Sequence, residues 1–221
     1  MLIKICGATR VADIDLLAEA GADLIGLWSG VPDGHAQLDD DAFDRLARAT
    51  RKRGRTPVLV TLSRDVRGLL ARVAGSGVSW VQLHGYQTPA TVRALKARGL
   101  TVVKVLHIRD GQCLERPLIN AYQRAGADLF LLDSMAGGRI GSTAHRLDPE
   151  VAASVVEAVD RPVLLAGGLT ARNAGQFRAV TRAHRFAGID VDSGARDERG
   201  RFDADAVRAI RREWTVGVPA A

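Results

Sequence analysis

Cysteine is scarce: Cys6 and Cys113 are the 2 thiols in a chain of 221 residues. That is too few for a disulfide framework and too few for a structural zinc site. No apolar run approaches the roughly 20 residues that a membrane helix needs, so no membrane role is expected. The opening segment, Met1-Leu2-Ile3-Lys4-Ile5-Cys6-Gly7, lacks the long apolar stretch and cleavage site of an export signal. It reads as a short strand running into a loop. Reduced thiols in a cytoplasm are the simpler expectation. His107, His145 and His184 show no metal-ligand spacing, and no metal is expected. Low-complexity tracts and linkers are missing too, which points to one domain.

The formal charge is +6, but its pattern matters more than its sum. Arginines are scattered over several helix-like segments: Arg45, Arg48, Arg51 and Arg53, then Arg93 and Arg98, then Arg208, Arg211 and Arg212. No basic stretch is interleaved with aromatics, so the reading is a solvated arginine-rich surface rather than a nucleic-acid partner. A modest positive field would help capture an anionic ligand. Hydrophobic residues make up 47% and charged residues 25%, as in an ordinary globular protein.

Short apolar strands alternate with amphipathic stretches from end to end. The candidate strands are Leu2 to Cys6, Leu24 to Trp28, Thr56 to Thr61, Trp80 to Leu83, Thr101 to Leu106, Leu129 to Asp133, Pro162 to Ala166 and Gly188 to Val191. Their Val/Ile/Leu content suits strands buried on both faces. Helices are expected over Val11 to Ala20 before Gly21, over Asp41 to Arg53 before Gly54, and from Thr88-Pro89 to Arg98 before Gly99. Asp148-Pro149 and Asp203 read as further helix starts. Repeated βα units imply a parallel sheet. Eight units in this length favour closure, so the predicted fold is a single α/β domain, a (β/α)8 TIM barrel over residues 1–216, with 217–221 as a tail.

In such a barrel, function belongs at the C-terminal ends of the strands. Cys6 stands there after the first strand, His84 after the fourth and Asp133 at the sixth. Gly167-Gly168 follows the seventh, and Asp190, Asp192, Ser193 and Gly194 straddle the end of the eighth. Gly167-Gly168-Leu169-Thr170 ahead of a helix is either a phosphate loop or a tight turn; Ser193-Gly194 after the next strand favours phosphate. Cys6 is either a small buried hydrophobe or one of an acid–base pair with Asp133. For base work its pKa must lie below the free value of about 8.5, or its thiolate must form transiently. Asp133 could instead cap a loop, and His84 either lines the site or bonds a neighbouring loop. Lys4 and Lys104 lie within strands and are costly to bury unpaired; both are expected to point into the barrel toward carboxylates, in a structural role. Cys113 is expected on a helix and inert.

These stretches resemble phosphoribosylanthranilate isomerases. The resemblance is carried by Lys4-Ile5-Cys6-Gly7 with Thr9-Arg10, Ala22-Asp23-Leu24-Ile25-Gly26, Val81-Gln82-Leu83-His84-Gly85, and Leu131-Leu132-Asp133-Ser134 with Gly137-Gly138. It continues through Leu165-Ala166-Gly167-Gly168-Leu169-Thr170 with Asn173, and Gly188-Ile189-Asp190-Val191 with Ser193-Gly194. The resemblance implies a cofactor-free Amadori rearrangement of a phosphoribosyl amine, turning an aminoaldose phosphate into an aminoketose phosphate. It implies Cys6 as general base and Asp133 as general acid. It places phosphate on the backbone around Gly137 and Gly138, Gly167 and Gly168, and Ser193 and Gly194. Gly7, His84, Asp190, Arg139 and His35 are the residues expected to line the remaining substrate. The implied partner is a small sugar phosphate, and the chain is expected to be a monomer or a homodimer.

Two stretches depart from the family pattern. The segment after the second strand, Ser29 to Leu38, carries His35 but no arginine to pair with a substrate carboxylate. The Gly137-Gly138 loop continues Arg139-Ile140-Gly141, with Arg139 new. Arg139 or Arg10 could restore a carboxylate contact. The alternatives are therefore the same chemistry on another amine, or a non-catalytic relative that binds a phosphorylated metabolite.

Overall fold

The computed structural model describes residues 1–135 and 146–216. Its strands are β1 (Leu2–Cys6), β2 (Leu24–Trp28), β3 (Thr56–Thr61), β4 (Trp80–Leu83), β5 (Thr101–Arg109), β6 (Gln112–Cys113), β7 (Leu129–Ser134), β8 (Val163–Leu165) and β9 (Phe186–Val191). The helices are α1 (Val11–Glu19), α2 (Asp40–Lys52), α3 (Val66–Ser76), α4 (Pro89–Lys96), α5 (Ile119–Ala125), α6 (Pro149–Ala158), α7 (Arg178–Thr181) and α8 (Ala204–Thr215). Strand order is β4-β3-β2-β1-β9-β8-β7-β5, and β4 also pairs with β5, which closes the ring. Each of these pairings is parallel. The fold is thus a (β/α)8 barrel.

The alternation of side chains along each strand makes two apolar layers. Val103, Val105, Leu129, Leu131, Leu164 and Ala166 fill the barrel. Their sequence neighbours Val102, Leu106, Phe130, Leu132, Val163 and Leu165 face the helices. Helix starts follow the expected chemistry. Asp148 accepts from the amides of Glu150 and Val151, and Asp203 from those of Asp205 and Ala206. Such caps contribute about 1 kcal/mol each. Pro89 opens α4.

Four local expectations are corrected. β5 runs on to Arg109, so His107 belongs to a strand. Asp110 and Gly111 both take positive φ, 51° and 73°, the turn that a tight antiparallel hairpin requires. Cys113 accordingly lies on β6, paired with Ile108, and not on a helix. The segment after β8 is mainly a 3-10 helix over Ala171–Phe177, followed by the short α7. Finally, Lys104 does not enter the barrel. With Val103 and Val105 inside, strand alternation turns it outward, where Nζ lies 5.3 Å from the Tyr122 ring centre. Its Nζ donates to the carbonyls of Gly85 (2.8 Å) and Val105 (2.6 Å).

Candidate active site

β1 turns Leu2, Lys4 and Cys6 to the interior. Leu2 packs against the barrel's apolar filling, whereas Cys6 sits higher, in a cluster with Trp28, Val31, Ala36 and Val60. Its sulfur accepts from Lys4 Nζ and from Trp28 Nε1, both at 3.2 Å. Lys4, fully buried, also donates to Asp190 Oδ2 at 2.8 Å. Asp190 Oδ1 is buried and has no hydrogen-bond partner among the described residues. Of the two lysines expected inside, Lys4 is therefore paired with a carboxylate as predicted. Removing one member of such a buried pair typically costs about 3–5 kcal/mol, because the other charge is stranded.

The electrostatics follow from burial. Desolvation and the charge of Asp190 push the Cys6 thiol up to about 12, against the pull of Lys4 and the Trp28 hydrogen bond. The resting group is therefore a thiol, and the first of the two conditions for base work is not met. Burial lowers the Lys4 ammonium, but Asp190 and Cys6 more than restore it and leave it raised. Asp190 is raised by burial and by Asp133, against Lys4 and His84.

Asp133, near the end of β7, is buried. His84 Nε2 stands 3.2 Å from its Oδ2. Gln82 Nε2 lies 2.9 Å from His84 Nδ1, on the opposite side of the ring from Asp133. Asp190 feels the charges of both Asp133 and His84 as well as those of Lys4 and Cys6. Cys6, Asp190, His84 and Asp133 thus share one mouth of the barrel.

The backbone loops around that mouth are tightly shaped. Gly7 has φ +86°, and a Cβ there would come within 2.8 Å of Arg196 Nη2. Arg196 donates to the Gly7 carbonyl at 3.0 Å and to Asp192 Oδ1 at 2.8 Å. Asp192 Oδ2 also faces His35 Nε2 at 3.2 Å, and the His35 ring stacks edge-on against Trp28, 4.7 Å between centres. Burial raises the Asp192 carboxyl, but His35 and Arg196 outweigh it and leave it lowered. Gly167 and Gly168 both take positive φ. Asn173 braces their loop by accepting from Thr170 N (2.9 Å) and donating to the Gly168 carbonyl (3.0 Å). Gly194 leaves no space for a side chain against the Leu169 carbonyl, so the two glycine loops lie in contact. Ser193 opens a 3-10 turn after β9.

Of the expected site residues, Cys6, Gly7, His35, His84, Asp133, Gly167, Gly168, Asp190, Ser193 and Gly194 lie at the C-terminal ends of strands or in the loops that follow. Gly137, Gly138 and Arg139 lie outside the described residues. Arg10, a candidate carboxylate contact, is tied instead to Asp13 at 2.8 Å in a capping arrangement at the start of α1. Sequence reading missed Trp28 and Arg196, and placed Asp192 at a strand end without giving it a role. The first was legible only as strand core, and the other two gain meaning only through the loop packing. Among the described residues, no group of three or more His, Cys, Asp or Glu side chains could hold a metal. None of their helices is long and apolar enough to cross a membrane.

A closed barrel with a thiol, carboxylates and paired glycine loops at its C-terminal rim defines a (β/α)8 enzyme with a ligand site at that rim. The family profile of N-(5'-phosphoribosyl)anthranilate (PRA) isomerase matches residues 3–212. The N-(5'-phosphoribosyl)anthranilate isomerase 2 of Methanosarcina mazei is 33% identical, over 92% of this chain and 89% of its own. That of Halorubrum lacusprofundi is 35% identical, over 93% and 92%. Among solved structures, the Thermus thermophilus phosphoribosyl anthranilate isomerase aligns with a TM-score of 0.78 at 23% identity, covering 96% of this chain and 98% of its own; at that identity it speaks to the fold. The chain belongs to the PRA isomerase family and is an isomerase.

Proposed function

We propose that this protein catalyses the Amadori rearrangement of N-(5'-phosphoribosyl)anthranilate, with Cys6 as general base and Asp133 as general acid. In this reading Asp133 protonates the ring oxygen while the nitrogen lone pair opens the ring to a C1=N iminium. The Cys6 thiolate then takes the C2 proton. The C2–H electron pair becomes the C1=C2 bond, the iminium nitrogen is neutralised, and the enolamine tautomerises to the ketose. His84 holds Nε2 toward Asp133 at 3.2 Å and orients it. The glycine loops at Gly167-Gly168 and Ser193-Gly194, together with Gly137-Gly138, take the phosphate through backbone N–H groups. A solved phosphoribosyl anthranilate isomerase with 22% identity carries reduced 1-(o-carboxyphenylamino)-1-deoxyribulose 5-phosphate, a ligand of the kind this reading requires.

What carries the proposal is the shared mouth: Asp190 lies within electrostatic reach of Cys6 on one side and Asp133 on the other. Turnover of phosphoribosylanthranilate by the purified protein is the direct test. Cys6→Ala and Asp133→Ala should each lower kcat by about 100-fold or more, the scale of losing a general base or acid. Near-full activity in either variant removes that residue from the mechanism.

One observation favours a second amine. Among the described residues, Arg10, His35 and Arg196 each face a carboxylate of the chain itself, whereas anthranilate would need a cation; Arg139, the other candidate, lies outside the described residues. A lower KM for a phosphoribosyl amine without a carboxylate would support this alternative; preference for anthranilate would end it.

A further inference from the structure

The fully buried ammonium of Lys4 bridges two groups, and only one of them is the carboxylate that a structural role would require. Nζ lies 2.8 Å from Asp190 Oδ2 and 3.2 Å from Cys6 Sγ. The neighbouring strand is shaped for this bridge. A Cβ at Gly26 would stand 2.5 Å from Cys6 Sγ and 2.9 Å from Lys4 Nζ, so β2 gives up a side chain where the two groups meet. Trp28, two residues along the same strand, supplies a second N–H to the sulfur at 3.2 Å. Two donors converging on one sulfur, one of them cationic, suit a thiolate far better than a thiol, which is a weak acceptor.

We propose that Lys4 is a positioning residue for the rearrangement, its ammonium serving as the counter-ion of the Cys6 thiolate. The inference rests on the reading of Cys6 as the base. Ionisation leaves the S–H electron pair on sulfur and sends the proton to solvent through the mouth; Lys4 stays protonated throughout. The charged groups around the sulfur are Lys4 on β1, Asp190 on β9 and Asp192 in the loop that follows. Trp28 is the uncharged donor from β2. Arg196 reaches the Cys6 carbonyl, not its sulfur, at 3.5 Å and also pairs with Asp192; His35 acts one step removed, through Asp192, and His84 and Asp133 act through Asp190. Within this set Lys4 is the cation that touches the sulfur, and Asp190 competes with the sulfur for it.

The opposed roles of Lys4 and Asp190 give the test a sign. Alkylation of Cys6 by iodoacetamide at pH 8, followed by peptide mass spectrometry, reads the thiolate fraction directly. Lys4→Gln should slow it about tenfold or more, and Asp190→Asn should speed it. In the turnover assay Lys4→Gln should lower kcat about tenfold or more with KM within twofold. A purely structural lysine would cost stability and leave both the alkylation rate and the kcat of the folded protein unchanged; that result overturns the proposal. If Lys4→Gln alone fails to fold, Lys4→Gln/Asp190→Asn is compared with Asp190→Asn, which removes the stranded carboxylate from both sides. Slower alkylation in the double variant supports the proposal, and equal rates overturn it. Turnover surviving in Cys6→Ala would sink the base assignment instead, while the alkylation comparison would still report on the Lys4–sulfur pair.

Discussion

His84 faces Asp133 with its ring, Nε2 to Oδ2 at 3.2 Å, and is itself held by its carbonyl, which accepts from His107 Nε2 at 3.0 Å. His107 in turn meets Glu115 Oε1 through Nδ1 at 2.6 Å, and Glu115 Oε2 accepts from the His107 amide at 2.8 Å. Both ring nitrogens of His107 face oxygen atoms, one of Glu115 and one of the His84 backbone. A carboxylate brought back by the β5–β6 hairpin therefore fixes, through His107, the stretch of backbone that carries His84.

Glu115 should make this tie pH-dependent. Burial raises its carboxyl, but the hydrogen bond and charge of His107 and the charge of Lys104 outweigh burial and leave the pKa below its ordinary 4.5. A depressed acid contributes stability above its unfolded pKa, and that contribution is lost as pH falls through the folded value. Glu115→Gln should thus be destabilised at pH 7, with the gap to the unmodified protein closing below about pH 4.5. Urea melts across pH 3–7 measure it; a gap constant over that range would show that the charge is irrelevant.

Gly26→Ala tests the room left for Cys6 and Lys4. The added methyl would lie 2.5 Å from the sulfur and 2.9 Å from the ammonium, too close for either to stay in place. Over-packing of this kind costs roughly 1–3 kcal/mol. A lowered melting temperature with kcat reduced about tenfold or more is expected. Unchanged kcat would mean that the bridge geometry does not matter to turnover.

The clasp between loops at His35 and Asp192 should behave differently. His35 is half-exposed and its contact with Asp192 is at 3.2 Å, so its loss should cost stability less than about 1 kcal/mol. If the Ser29–Leu38 segment walls the amine pocket, His35→Ala raises KM several-fold with kcat within twofold. Steady-state kinetics decide, and an unchanged KM removes His35 from the substrate's surroundings.

How far this was legible in the sequence depends on the range of the interaction involved. Strand cores such as Leu129 to Leu132, with their uninterrupted apolar runs, and caps such as Asp148 and Asp203 are local signals, and the barrel followed from their alternation. Cys6, His84, Asp133 and Asp190 were findable because strand ends in a closed barrel converge. The Asp110-Gly111 turn was equally local but passed unread, which misplaced Cys113. What no local pattern carries is which side of the sheet a lone lysine takes when its only signal is an unfavourable burial. Lys4 and Lys104 look alike in sequence, yet one meets Asp190 and the other meets carbonyls and a tyrosine ring. Arg196 reaches Gly7 across 189 positions of chain, and Asp192 meets His35 from the loop after the second strand.

Lys104 offers the last prediction, one that concerns stability alone. Its ammonium is buried against carbonyl oxygens with no carboxylate bonded to it among the described residues, and desolvation lowers its pKa to about 8, with only partial relief from the charge of Glu115. An unfolded lysine keeps its proton to about 10.4. Between those limits the unfolded chain binds more protons than the folded one, so stability should rise with pH across roughly 8 to 10. At neutral pH the charged form penalises the fold by about 3 kcal/mol at 1.4 kcal/mol per pH unit. Lys104→Met, which keeps the stem over the Tyr122 ring but cannot ionise, should abolish that rise. Urea melts at pH 7, 8, 9 and 10 compare the two slopes. Parallel curves would mean that Lys104 keeps an ordinary proton affinity in the folded protein.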